Sequence, residues 1–181
     1  MTTGLVLIDV QTGFDDPAWG TRNNPDAEAA IAALLAGFRA AGAPVFHVRH
    51  ASTEEGSPLR PDGPGFAFKP EGEPEAGEPT FEKSVNSGFI GTGLEDALRN
   101  AGVERVVVCG FTTDHCVSTT TRMAENLGFE VAIVRDATAT FGRELDGEAI
   151  DAETNHRVAL AQLQGEFAEV VTVADVLAGF R

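Results

Sequence analysis

Short aliphatic runs alternate with longer amphipathic stretches from end to end, a pattern that predicts an α/β fold on a mostly parallel sheet of roughly six strands. Leu5 to Asp9 reads as the first strand. Ile31, Leu34, Leu35 and Phe38 then recur at helical spacing and predict a helix from Pro25 to about Ala41. Asn24 stands in the N-cap position, Pro25 at the first helical position, Asp26 and Glu28 near the positive end, and Gly42 at the stop. Val45 to Arg49 and Phe81 to Lys83 read as strands, and Leu94 to Ala101 as a helix ending at Gly102. Val106 to Cys109 is a β-branched run of the kind found in a sheet covered on both faces. A helix is predicted from Asp114 to Leu127, a strand over Glu130 to Arg135, a helix over Ala149 to Gln164 and a last strand over Val170 to Val173.

One segment interrupts the alternation. Ala51 to Glu82 holds six of the nine prolines, and it is too long for a plain connection inside a compact domain. It is read as a cover for a pocket or a contact between subunits, so a homo-oligomer is expected. Its prolines lower the entropy of ordering it, which suits a fixed wall better than a mobile tether.

Composition narrows the function classes. A chain of 181 residues fits one domain, residues 1–181, and a net charge of −15 argues against nucleic acid and anionic membrane surfaces as partners. No apolar run approaches the roughly 18 residues of a membrane span, and nothing near Met1 has the form of a signal peptide. The only cysteines, Cys109 and Cys116, lie on one strand-turn-helix unit, which argues against a disulfide framework and for a reducing cytoplasm.

Ligands of open α/β sheets collect beyond the carboxyl ends of the strands, and three reactive side chains fall there. Asp9 closes the first strand, Lys83 follows Phe81, and Cys116 follows the VVVCG strand. An acid, an amine and a thiol can divide the work of acyl transfer. At the start of a helix, free backbone N–H groups and the helix dipole are expected to lower the Cys116 pKa; a small, inert, buried cysteine is the alternative. Phe14, Trp19 and Phe89 follow the Asp9 and Lys83 motifs and are expected to rim a small-molecule pocket, with core packing the alternative, above all for Phe89. Arg22 is expected to meet a substrate carboxylate or to pair with Asp15 or Asp16.

The segments LIDVQTGF, EKSVNSGF and GFTTDHCVSTTTRMAENLGFEVAIVRDAT together resemble the isochorismatase-like cysteine hydrolases, the superfamily of nicotinamidases and N-carbamoylsarcosine amidase. The resemblance runs in order over nearly the whole chain. It implies a three-layer α/β/α fold, an Asp9, Lys83, Cys116 triad and a thioester on Cys116. It also implies a cis peptide between Phe111 and Thr112, an oxyanion hole from the backbone N–H groups of Thr112 and Cys116, and Phe111 beside the substrate.

Nicotinamidase-like members bind a metal through an Asp and several His residues after the second strand. Here the region reads VFHVRHAS, and residues three apart on a strand point to opposite faces, so His47 and His50 cannot easily chelate one ion. No metal and no cofactor are expected. His50 is expected to line the pocket, His47 to pack inside, His156 to be structural, and His115 to support the nucleophile or lie on the surface. The reading is hydrolysis of a C–N bond in a small amide or carbamoyl compound. Two alternatives stand beside it. Vinyl-ether hydrolysis of isochorismate needs acid chemistry rather than a thiol, and a non-catalytic thiol redox sensor or binding protein needs neither Asp9 nor Lys83.

Overall fold

The computed structural model describes residues 1–180. Its strands are β1 (Thr2–Ile8), β2 (Val45–His50), β3 (Thr80–Lys83), β4 (Val103–Phe111), β5 (Glu130–Ala139), β6 (Arg143–Leu145), β7 (Glu148–Ile150) and β8 (Glu169–Val171). Its helices are α1 (Ala27–Ala40), α2 (Leu94–Asn100), α3 (Ser118–Asn126), α4 (Ala152–Leu163) and α5 (Val173–Ala178). Six strands form one sheet in the order β3-β2-β1-β4-β5-β8, with every pairing parallel.

Because side chains alternate across a strand, each central strand feeds two cores. Leu5, Leu7, Val107, Cys109, Ala132 and Val134 face one side, where Ile31, Leu34, Leu35 and Phe38 of α1 cover them and Val173 and Val176 of α5 pack alongside. Val6, Ile8, Val106, Val108, Val131 and Ile133 face the other, under Leu94 and Leu98 of α2, Ala124 of α3, and Leu160 and Leu163 of α4. The result is the three-layer α/β/α arrangement. From β1 the chain proceeds to β2 and β3 on one side, then returns to β4 on the other. The switch falls between β1 and β4, where a crevice opens at the carboxyl ends.

The segment between β2 and β3 is a folded wall. Lys69 N–H donates to the Val10 carbonyl at 2.8 Å, Thr12 N–H to Ala67 at 2.9 Å, and Ser52 N–H to Leu59 at 3.1 Å. Gly65 is required by close approach, since a Cβ there would lie 2.2 Å from the Pro58 carbonyl oxygen. Further along, Glu78 accepts from Arg39 Nε at 2.8 Å and meets His47 Nε2 at 2.8 Å, clamping the segment to α1 and β2. His47 is fully buried, as expected of an internal residue, and burial holds its pKa below the ordinary range.

Several expectations are corrected. Asn24 does not cap α1: at φ 43° its amide donates to the Arg135 and Thr138 carbonyls at 2.9 and 2.7 Å, tying the helix entry to β5. The helix expected from Ala149 begins at Ala152, because Arg143 to Ile150 is a hairpin turning at Asp146 (φ 53°) and Gly147 (φ 82°). Asp-Gly in a two-residue hairpin loop meets the need for two positive φ angles. The segment after the last strand is α5, with Thr172 and Asp175 in a capping box.

Candidate active site

The crevice between β1 and β4 is built by backbone requirements. Gly110 has φ 117°, and a Cβ there would lie 2.0 Å from the Ile8 carbonyl oxygen, so only glycine lets the two strand ends run this close. The peptide between Phe111 and Thr112 is cis. The chain then makes one π-helical turn, Thr113–Val117, before α3, and the amides of His115 and Val117 both donate to the Thr112 carbonyl, at 3.1 and 3.2 Å. Asp9, just past β1, takes φ 52°, a left-handed conformation that Asp tolerates better than most residues, while its N–H donates to Val48 at 2.8 Å.

These turns bring Asp9, Lys83 and Cys116 together. The Lys83 ammonium donates to Asp9 Oδ2 at 2.7 Å and to Cys116 Sγ at 3.2 Å, and the third N–H reaches His50 Nδ1 at 3.0 Å. The side chains of Asp9 and Lys83 are 0% exposed. Among the described residues the second carboxylate oxygen, Asp9 Oδ1, is buried with no hydrogen-bond partner. Burial pushes the Asp9 carboxyl pKa up, against the pull of the Lys83 charge.

The expectation of a lowered Cys116 pKa is overturned. Burial, reinforced by the Asp9 charge, pushes the thiol up to about 12, and Lys83 only partly offsets it. Burial disfavours the charged thiolate. Cys116 therefore rests as a thiol and needs a base to release its proton.

Asp9, His50 and Cys116 place one donor atom each within 4.8 Å of one another, a spacing that could serve a metal ion. The ammonium already bonds all three, so an ion would have to displace a cation. His47 is turned away onto Glu78.

Above the cluster lies a cleft of about 290 Å³, walled by Phe14, Trp19 and Leu59, with His50, Asn86, Thr112 and Cys116 at its floor and Ser52, Glu54, Ser57, His115 and Arg143 around it. A more open groove of about 540 Å³ beside α4 and β8 holds none of the three convergent side chains. Phe14 and Trp19 lie where expected, their rings 5.4 Å apart and backed by Phe141. Phe89 and Phe111 do not line the cleft. Phe89 stacks on Phe129 at 6.4 Å in the opposite core, and Phe111 is fully buried beneath Phe14. Arg22 does not pair with Asp15 or Asp16; its guanidinium forks onto Glu28 at 2.6 and 2.7 Å above the Phe111 ring.

Arg143 was not legible as a site residue because its partner is distant in sequence. Asp114 accepts from Arg143 Nε at 2.8 Å, Thr140 Oγ1 at 2.5 Å and Asn155 Nδ2 at 3.0 Å, binding the turn that carries Cys116 to β6 and α4. Burial pushes Asp114 up, but hydrogen bonds from Asn155 and Thr140 and the nearby positive charges win and hold it at about 2. His115 projects outward with its side chain 57% exposed. His156 is buried against Thr113 Oγ1 at 2.8 Å, a structural role.

An α/β/α sheet with its reactive groups at this switch point matches a defined protein class. Residues 3–175 match the Isochorismatase domain, and the chain belongs to the isochorismatase family of hydrolases. It is 44% identical over 177 residues to the isochorismatase family protein YrdC of Bacillus subtilis, covering 97% of this chain and 95% of that one. Streptothricin hydrolase of Streptomyces noursei is 36% identical over 140 residues, 76% of this chain and 54% of the relative. Nicotinamidase 3 of Arabidopsis thaliana is 32% identical over 154 residues, 78% of this chain and 75% of the relative. Among solved structures, an isochorismatase-family protein from Chromobacterium violaceum superposes with TM-score 0.95 at 47% identity, over 99% of this chain and 93% of that one. N-carbamoylsarcosine amidase from Thermoplasma acidophilum gives TM-score 0.77 at 25% identity, over 96% and 97% of the two chains.

Proposed function

We propose that this protein is a cysteine hydrolase that cleaves the C–N bond of a small amide or carbamoyl compound through a thioester on Cys116. The observation that carries this reading is the convergence of Lys83 on both Asp9 and Cys116 in a buried site under a cleft. Asp9, with a raised pKa and a free oxygen, takes the thiol proton. Sγ attacks the carbonyl carbon, Lys83 balances the charge on sulfur, and the backbone N–H groups of Thr112 and Cys116 receive the developing oxyanion. As the C–N bond breaks, the proton passes from Asp9 to the leaving nitrogen. Water then attacks the thioester, Asp9 takes its proton, and the acid departs as the thiol re-forms.

Relatives named as a nicotinamidase, a streptothricin hydrolase and an N-carbamoylsarcosine amidase support C–N chemistry. The cleft volume of about 290 Å³ favours a small substrate against the Phe14 and Trp19 wall. The thiol suits a reducing cytoplasm, and the folded Pro-rich segment suits a homo-oligomer. Ammonia release from a panel of primary amides and carbamoyl compounds tests the reading, with Cys116→Ala as the control. Equal release by both proteins would contradict it.

A further inference from the structure

We propose that His50 is a positioning residue that holds the Lys83 ammonium against Cys116, making it a fourth member of the reacting cluster. The inference rests on the reading of Cys116 as the nucleophile. It comes from sheet order. Asp9 directly follows β1, Lys83 ends β3, and β2 lies between them, so the lysine side chain must cross the end of β2 to reach the carboxylate. His50 and Lys83 are register partners on adjacent strands, which sets the imidazole beside that path.

An ammonium has three N–H donors, and here each has one acceptor: Asp9 Oδ2 at 2.7 Å, His50 Nδ1 at 3.0 Å and Cys116 Sγ at 3.2 Å. With the Lys83 side chain fully buried, water cannot replace a lost partner. Removing the imidazole acceptor leaves a buried charged donor unpaired and frees the ammonium to turn from sulfur.

To accept at Nδ1 the ring must be neutral, with its proton on Nε2. Burial and then the Lys83 charge hold His50 below the ordinary histidine range, while Asp9, Glu54 and the Val85 carbonyl pull the other way. The backbone is fixed as well. Gln11, two residues beyond Asp9 and fully buried, accepts from His50 N–H at 2.8 Å and donates to the His50 carbonyl at 3.1 Å. One residue of the first-strand motif thus sets the height of the histidine over the site.

The test is the pH dependence of iodoacetamide labelling at Cys116, read by peptide mass mapping with Cys109 as the internal reference. His50→Leu removes the acceptor. It should slow labelling about tenfold at pH 7, with the same ratio up to about pH 9. His50→Asn keeps an acceptor near the Nδ1 position and should recover the rate to within about threefold of the parent. His50→Gln sets its amide near Nε2 instead and should behave like the leucine variant, a second reading should that variant fail to fold. Equal rates in the parent and the Leu or Gln variants would overturn the proposal, as would equal slowing by Asn, Leu and Gln. A parent in which Cys116 labels no faster than Cys109 would overturn the nucleophile reading itself, and this proposal with it.

Discussion

Cys109 and Cys116 are seven residues apart, both buried, and both have thiols pushed up by desolvation, yet their surroundings differ in kind. Cys109 lies inside β4, in register with Leu7 and packed with Phe111, Val107 and other apolar side chains of one core. Cys116 lies past the strand end, within hydrogen-bonding reach of Lys83 and beside Asp9 and His50. Burial alone makes a cysteine inert; under the proposed mechanism the same burial becomes useful because a carboxylate and a cation are buried with it. In such a place each charge acts at low dielectric.

The largest expected effect separates the two cysteines outright. Cys116→Ala should lower turnover at least about ten-thousandfold, as loss of a nucleophile does, while Cys109→Ala should leave it within about threefold. Retention of more than about a hundredth of the activity in Cys116→Ala would show that no covalent step passes through this sulfur. Next in size, Asp9→Asn should cost about a thousandfold in kcat through loss of the base. An asparagine variant with near-parent kcat would mean that Cys116 gives up its proton elsewhere.

A smaller effect concerns the turn that carries Cys116 and leaves the β4 interior of Cys109 untouched. Asp114 is held at about 2, below the ordinary aspartate value of 3.8, so its contribution to stability is present above about pH 4 and is lost as the pH falls toward 2. Asp114→Asn should therefore lower unfolding stability by about 2 kcal/mol at pH 7, and the gap between parent and variant should close between about pH 4 and pH 2. Urea titrations of both proteins across that range measure it, and a gap that persists at pH 2 would remove the charge from the explanation.

Much of this site was legible along the chain because its parts are local signals. Asp9, Lys83 and Cys116 each follow a β-branched or aromatic strand, and the α1 stripe of Ile31, Leu34, Leu35 and Phe38 is buried as its spacing predicts. The remainder depends on distances that local patterns do not carry. The rise in the Cys116 pKa comes from depth of burial, the Lys83–His50 bond from strand order, and the Arg143–Asp114 pair from contact across the fold. Phe89 follows the Lys83 motif closely yet packs into the opposite core on Phe129, a partner forty residues away that no local pattern indicates. The Asp146-Gly147 hairpin did carry a local signal, hidden by extending the next helix over its second strand.

The most direct test of the central claim compares iodoacetamide labelling of both cysteines in the same molecules, in the parent and in Asp9→Asn, at pH 7. The account predicts that Cys116 in the parent labels at least about tenfold faster than Cys109, and that Asp9→Asn slows Cys116 while leaving Cys109 unchanged. Equal labelling of the two cysteines in the parent, or a Cys116 rate indifferent to Asp9, would contradict it.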